Sequence, residues 1–285
     1  MKKVIVLLLL LSAIVANAQN DNAKVQADTI RPHWRPKGVA SFNFSQLALS
    51  NWSQGGETNI TWNIFGDFGV MYVDSNWKFV NNLNAVFGMS KTGDRGFRNN
   101  DNDLYFETVL SYKFGWVVDP FFSNTVRTVI ANGYSYSDTS AIQKSAFWDP
   151  GYITQSLGFI YGKKDVFTTR LGFACQETFT KRFTSYTDDP NTPQIEKFRF
   201  DTGIECVTEA KYKLDDNLLH STALRLFSRF NSLDVWDVRW DNTITAKITK
   251  LLNVNFNLLV IYEKQQSLRT QVKEALQVGI AYNLF

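Results

Sequence analysis

Apolar side chains occupy every second position through Ile60, Trp62, Ile64, Phe68, Val70 and Tyr72, with Gly66 the one gap in the series. Between them stand Asn59, Thr61, Asn63, Phe65, Asp67, Gly69 and Met71, a mixed and largely polar set. Successive side chains of an extended strand point to opposite faces, so this stretch is a ribbon with one greasy side and one wetter side. It runs for about a dozen residues, longer than an ordinary strand and long enough to cross a bilayer when tilted. The same alternation recurs from about Lys37 to the carboxyl terminus. The expected fold is all-β: a transmembrane antiparallel β-barrel.

The opening residues fit export. Lys2 and Lys3 precede the apolar run VIVLLLLLSAIVA, and Ala-Asn-Ala precedes Gln19. Residues 1–18 therefore read as a secretory signal peptide, because the apolar run is shorter than the ~20 residues of a spanning helix. Residues 19–36 are polar, carry two prolines and lack periodicity, which reads as a flexible periplasmic leader. Residues 37–285 are then one barrel domain. No other stretch is apolar enough for a membrane helix, yet hydrophobic residues make up 44% of the chain and aromatics 15%. A barrel reconciles the two, since its lumen face dilutes the apolar residues. A formal net charge of +3 without any Lys/Arg run excludes nucleic acid as a partner.

Twelve strands are expected, at about 38–49, 58–73, 77–90, 103–116, 121–134, 151–162, 166–180, 197–213, 218–230, 235–248, 252–263 and 272–285. Their links sort by length. Asp74-Ser75-Asn76, Val117-Val118-Asp119, Lys163-Lys164-Asp165, Asp215-Asp216-Asn217 and Thr249-Lys250-Leu251 follow the even-numbered strands and are tight. Most of the others, such as Ser135 to Pro150 and FTSYTDDPNTPQIEK, are long, and only Asn231 to Asp234 is short among them. Outer-membrane barrels show this asymmetry, with the short turns in the periplasm, so both termini are expected there. Outward aromatics fall into two bands. Tyr72, Trp77, Trp116, Phe122, Tyr161, Phe167, Tyr212 and Tyr282 lie toward one end, and Trp62, Phe106, Phe179, Phe198, Phe200, Trp236, Trp240 and Tyr262 toward the other. Such girdles mark the two headgroup levels.

The opposite face carries the charges. Arg127, Arg170, Arg199, Asp201, Glu205, Glu209, Arg225, Arg229, Asp237, Arg239 and Asp241 are the candidate lumen set, alongside Asp103, Glu107, Lys113 and Glu263. They either line a narrow polar pore or pair across strands into a plug of side chains. Twelve strands lie between the self-filled eight and the open sixteen, which favours the plug, with any pore small.

Signatures of catalysis are weak. His33 lies in the leader, and His220 lies on the outward face with Thr222 and Ser228. Ser228 is too far along the strand to use His220 as its base, so a lipid hydrolase would need a partner from a neighbouring strand. His and Cys never approach metal-ligand spacing, Gly55-Gly56 lacks the lysine and helix of a phosphate loop, and no cofactor is implied. Cys175 and Cys206 fall on neighbouring strands, which leaves a disulfide and two lipid-facing thiols both open.

Phe42-Asn43-Phe44-Ser45-Gln46, followed by Leu49-Ser50-Asn51-Trp52-Ser53-Gln54-Gly55-Gly56-Glu57-Thr58-Asn59, resembles the opening of a family of Bacteroidota outer-membrane proteins catalogued as a domain of unknown function. The resemblance implies a barrel in the outer membrane of a Gram-negative bacterium and supplies no reaction. Within that loop, Trp52 beside Gly55 and Gly56 either tucks into the barrel mouth as a constriction or forms an ordinary surface hairpin. The functional expectation is a monomeric barrel in outer-membrane lipid acting as a narrow pore or small-solute transporter. Its rival is a non-conducting barrel docked to an envelope protein of a secretion or lipid-transport complex.

Overall fold

Long alternating strands can satisfy their backbone hydrogen bonds only by pairing, and in hydrocarbon the sheet must leave no edge. The computed structural model describes residues 34–284 apart from 51, 52, 54, 138, 139, 164, 165 and 266. Its strands are β1 (Trp34–Leu47), β2 (Asn59–Val73), β3 (Trp77–Thr92), β4 (Arg98–Tyr112), β5 (Asp119–Thr128), β6 (Gly133–Tyr136), β7 (Ala141–Ser145), β8 (Gly151–Lys163), β9 (Phe167–Phe179), β10 (Phe198–Asp215), β11 (Leu218–Arg229), β12 (Trp236–Lys247), β13 (Leu252–Tyr262) and β14 (Gln271–Asn283). All but β6 and β7 close into a twelve-stranded barrel in the order β1-β14-β13-β12-β11-β10-β9-β8-β5-β4-β3-β2. The closing pair β1–β14 is antiparallel, with Val39 opposite Asn283 and Phe44 opposite Val278.

Burial is inverted relative to a soluble protein. The covered side chains are mostly polar, among them Asn43, Asn63, Glu107, Arg170, Asp201, Glu205 and Arg229. Phe106, Phe122, Leu157, Leu171, Phe173, Phe200, Trp240 and Leu276 stand exposed on the outside. A polar interior behind an apolar wall is a membrane-spanning barrel, because only hydrocarbon outside makes that arrangement favourable. No helix of the described residues is long and apolar enough to cross a membrane.

Several element boundaries depart from the sequence reading. β1 begins at Trp34, four residues earlier than expected, and residues 1–33 lie outside the described set. β4 begins at Arg98, five residues earlier than expected, because a bulge between Gly88 and Met89 lets the β3–β4 hairpin continue upward. β5 stops at Thr128, six residues early. There Asn102 replaces the ladder: its Oδ1 accepts from the backbone N–H groups of Ile130 and Ala131, and its Nδ2 donates to the Ala131 carbonyl. The freed chain forms the separate β6–β7 hairpin, which alternation had not singled out.

The cysteines are not bridged. Cys175 sits opposite Thr202, and Cys206 opposite Leu171. Four residues of offset separate them by roughly 13 Å along the ladder, beyond the ~7 Å that a disulfide spans.

One loop contact matters for the mouth of the barrel. Asp149, buried before β8, accepts from the backbone N–H groups of Lys181 at 2.9 Å, Arg182 at 2.8 Å and Phe183 at 3.4 Å. It pins the β9–β10 loop. Beyond the pin, Thr184–Tyr186 makes a single 3-10 turn, and the Thr180 and Thr187 hydroxyls bond at 2.6 Å.

Candidate functional site

The lumen is crossed by ion pairs at several levels. At the centre, the Arg170 guanidinium donates to Glu107 at 2.6 Å, and both side chains are about 5% exposed or less. The Tyr105 hydroxyl donates to the same carboxylate at 3.1 Å. Beside it, Arg225 donates to Glu205 at 2.7 Å and to Gln176 at 3.0 Å, while the Ser156 hydroxyl donates to Glu205. Arg229 joins Asp201 at 3.0 Å to Asp237 at 2.8 Å, and Arg199 also meets Asp201 at 3.0 Å. The Phe227 ring, wholly covered, packs beneath both Arg225 and Arg229. Buried charges of this kind are tolerated because each is paired and hydrogen-bonded.

One pair measures the width of the lumen. Arg239 on β12 reaches Asp103 on β4 at 3.7 Å, and those two strands stand six places apart in a ring of twelve. They are diametrically opposite. Arg127 reaches the same carboxylate at 3.2 Å. On the β14–β1–β2 side, amides fill the space: Asn43 donates to Asn63 at 2.7 Å, and Asn63 donates to Asp101 at 2.9 Å and Gln277 at 3.1 Å. Lys273 closes that corner on Asp101.

Toward the long-loop end, a cavity of about 320 Å³ opens above these pairs, lined by Tyr105, Arg127, Gln176, Arg225, Asp237 and Arg239 among others. Tyr186, from the pinned β9–β10 loop, lines it from above, and Glu263 lines it just past β13. Burial first, then the neighbouring Asp237, pushes the Glu263 carboxyl up to about 7. Burial also raises the Tyr186 phenol above its ordinary value, with Glu263 and Asp149 adding to it.

Every candidate lumen charge from Arg127 to Asp241 stands on an inward-facing register position. Arg170, Arg199, Asp201, Glu205, Arg225, Arg229, Asp237 and Arg239 meet in the pairs above, and Asp241 accepts from Asn257 at 3.1 Å. Glu209 stands exposed toward the short-turn end instead. Lys113 lies in the turn after β4, not in the wall. Tyr105, Ser156, Gln176 and the asparagine cluster escaped a reading keyed to charge; their shared parity with Glu107, Arg170 and Glu205 was the available signal. Tyr186 carried none, because it comes from a loop.

Trp52 lies outside the described residues. Gly55 and Gly56 adopt φ of +83° and +114°, and neither lines the cavity. The register places His220 opposite Tyr212 and Ile244, while Ser228, eight residues along the same strand, is fully covered. Thr222 instead accepts from the Trp240 indole at 3.0 Å. No described cluster of three His, Cys, Asp or Glu residues forms a metal site.

Residues 44–134 match the model of a family described as "Protein of unknown function (DUF3078)". The matched segment begins inside the Asn-Phe-Ser-Gln strand and contains the Gly-Gly-Glu loop, so the resemblance to an uncharacterised barrel family stands. No curated protein matches the chain. Solved structures similar to it include the translocator domain of the autotransporter NalP from Neisseria meningitidis, at 11% identity and TM-score 0.36 over 95% of this chain and 96% of that one. The COG4313 outer membrane channel from Pseudomonas putida F1 matches at 12% identity and TM-score 0.39 over 89% and 96%. A KdgM porin in complex with disordered oligogalacturonate matches at 9% and 0.32 over 87% and 99%. Likenesses this distant say nothing of what this lumen carries.

Proposed function

We propose that the protein is an integral outer-membrane barrel, working as a single chain, that passes small polar solutes through a narrow, ion-paired throat. Inverted burial supports the membrane, and the short turns, with the start of β1 and the end of β14 on the same side, support a periplasmic position for both termini. The observation that carries the pore reading is the stacking of a charged vestibule on a septum made of side chains, with no strand or helix plugging the barrel among the described residues. A septum of side chains opens by rotamer change, whereas a folded plug must leave. The same septum supports the rival reading of a closed docking barrel, since Arg239–Asp103 spans the whole diameter.

Planar-bilayer recording separates the two. The pore reading expects small, brief steps from the native protein and larger, longer ones from Arg239→Ala, which removes the cross-lumen brace. Silence from both proteins, with the barrel intact by its heat-modifiable gel mobility, overturns it.

A further inference from the structure

Six outward side chains interrupt the apolar wall along one line. Asn81 on β3 stands opposite Thr108 on β4, Thr108 opposite Asn124 on β5, and Asn124 opposite Gln155 on β8. Gln155 in turn stands opposite Cys175 on β9, and Cys175 opposite Thr202 on β10. Direct ladder partners share a face. That face is the outer one, since Thr108, Gln155, Cys175 and Thr202 are chain neighbours of Glu107, Ser156, Gln176 and Asp201, which are buried in the lumen. Two residues away along the same strands, Phe106, Phe122, Leu157, Phe173 and Phe200 stand exposed on the wall. The line therefore lies in the region that meets hydrocarbon.

It runs diagonally. Ladder partners lie perpendicular to strands that tilt by about 35–45°, so six strands carry the line through roughly 24 Å while it climbs. It starts four residues from the short-turn end of β3 and finishes four residues from the long-loop end of β10. Lipid tails offer neither donors nor acceptors, so polar groups on such a wall bond one another or a neighbouring spanning protein. Thr108 donates to Asn81 at 2.6 Å, and off the line the Thr169 and Thr208 hydroxyls meet at 3.0 Å. Cys175 behaves as a small hydrophobe. Asn124 and Gln155, at the midpoint of the line, differ: among the described residues their side-chain amides find no hydrogen-bond partner.

A carboxamide carries an acceptor oxygen and two donor hydrogens, so another carboxamide complements it. A two-fold axis along the membrane normal brings like residues together. Two copies of a climbing line, set face to face by that axis, run with opposite slopes and cross at one point. Crossing at the midpoint lays Asn124 against Asn124 and Gln155 against Gln155, while both ends diverge into lipid. We infer that this wall binds a second copy of the chain, giving a two-fold dimer of barrels joined within the bilayer by amide-to-amide hydrogen bonds at Asn124 and Gln155. The inference goes beyond the pore reading and is independent of it, because each barrel keeps its own throat.

Sedimentation equilibrium of the full-length barrel in density-matched detergent tests the dimer. The native protein should associate, and Asn124→Leu with Gln155→Leu should raise the dissociation constant about tenfold or more. Leu276→Ala, on β14 across the ring, should leave it unchanged. In phospholipid vesicles, with Cys175→Ser and Cys206→Ser removing the native thiols, Asn124→Cys should give a disulfide-linked dimer on oxidation and Leu276→Cys should not. Leucine suits a lipid-facing position, and heat-modifiable mobility shows that each variant keeps the barrel. A cross-link in vesicles supports the dimer even where detergent holds the barrels apart. A native protein that stays monomeric in detergent and gives no Asn124→Cys cross-link overturns the inference, as does association that the double leucine variant leaves intact. Silence in planar bilayers would sink the pore and spare the dimer; conduction by barrels that never pair would do the reverse.

Discussion

At the scale of single residues, the lumen depends on pairing. Arg170 and Glu107 are both almost wholly covered, so each compensates a charge that would otherwise stand desolvated. Replacing one partner therefore costs more than removing both. Glu107→Gln is expected to lower stability by about 3–5 kcal/mol in urea titrations of the micelle-bound barrel, and Arg170→Met with Glu107→Leu to recover most of that loss. Equal losses in single and double variants would contradict a paired core. Glu263 tests the rim by pH. Burial and Asp237 hold its carboxyl near 7, against 4.5 in the open chain, while Arg229, Arg225 and Arg127 pull the other way. The folded state thus holds a proton that the unfolded state has released. Its contribution is fully present below about pH 4.5 and is lost as pH rises through 7. Stability should fall between those limits, and Glu263→Gln should flatten the fall in urea midpoints measured at pH 5 and pH 8.

At the scale of elements, alternation predicted the walls well and the loops poorly. A period of two survives wherever one face meets lipid and the other water, so Ile60 to Tyr72 lies within β2 as read. Loops lack that constraint. The early end of β5 depends on Asn102 capturing Ile130 and Ala131, a contact between segments nearly thirty residues apart that no local pattern signals. The pairing of Cys175 and Cys206 stayed open in the sequence for a related reason: which strands neighbour one another was legible, but their register was not. The β9–β10 loop also depends on a distant residue, because Asp149 accepts three of its backbone N–H groups. Asp149→Ala leaves those part-buried donors without the carboxylate, at up to about 1–3 kcal/mol each where water does not replace it. The expected outcome is faster proteolytic cleavage between residues 180 and 197, with the β-wall remaining resistant. Cleavage at the native rate would show that the pin is dispensable.

At the scale of the whole molecule, the barrel inverts the usual division of labour between core and surface. Its interior is held by directional pairs such as Arg229 with Asp201 and Asp237, and its apolar side chains do their work outside. This explains why the candidate site was half legible. Charges on the lumen parity could be enumerated from the sequence, whereas the assignment of Arg239 to Asp103 across the diameter required ring closure. It also fixes how the protein should respond to solvent. Leu157 is 63% exposed, Leu171 58% and Leu276 67%, and in water this wall has nothing to cover it. At roughly 25 cal/mol per Å² of apolar area, a dozen such side chains make transfer from micelle to water strongly unfavourable. Dilution below the critical micelle concentration should send the folded barrel into sedimenting aggregates, while readdition of detergent to freshly diluted samples restores a monodisperse particle. A monodisperse barrel persisting in plain buffer would mean that the outer wall is covered by something other than lipid.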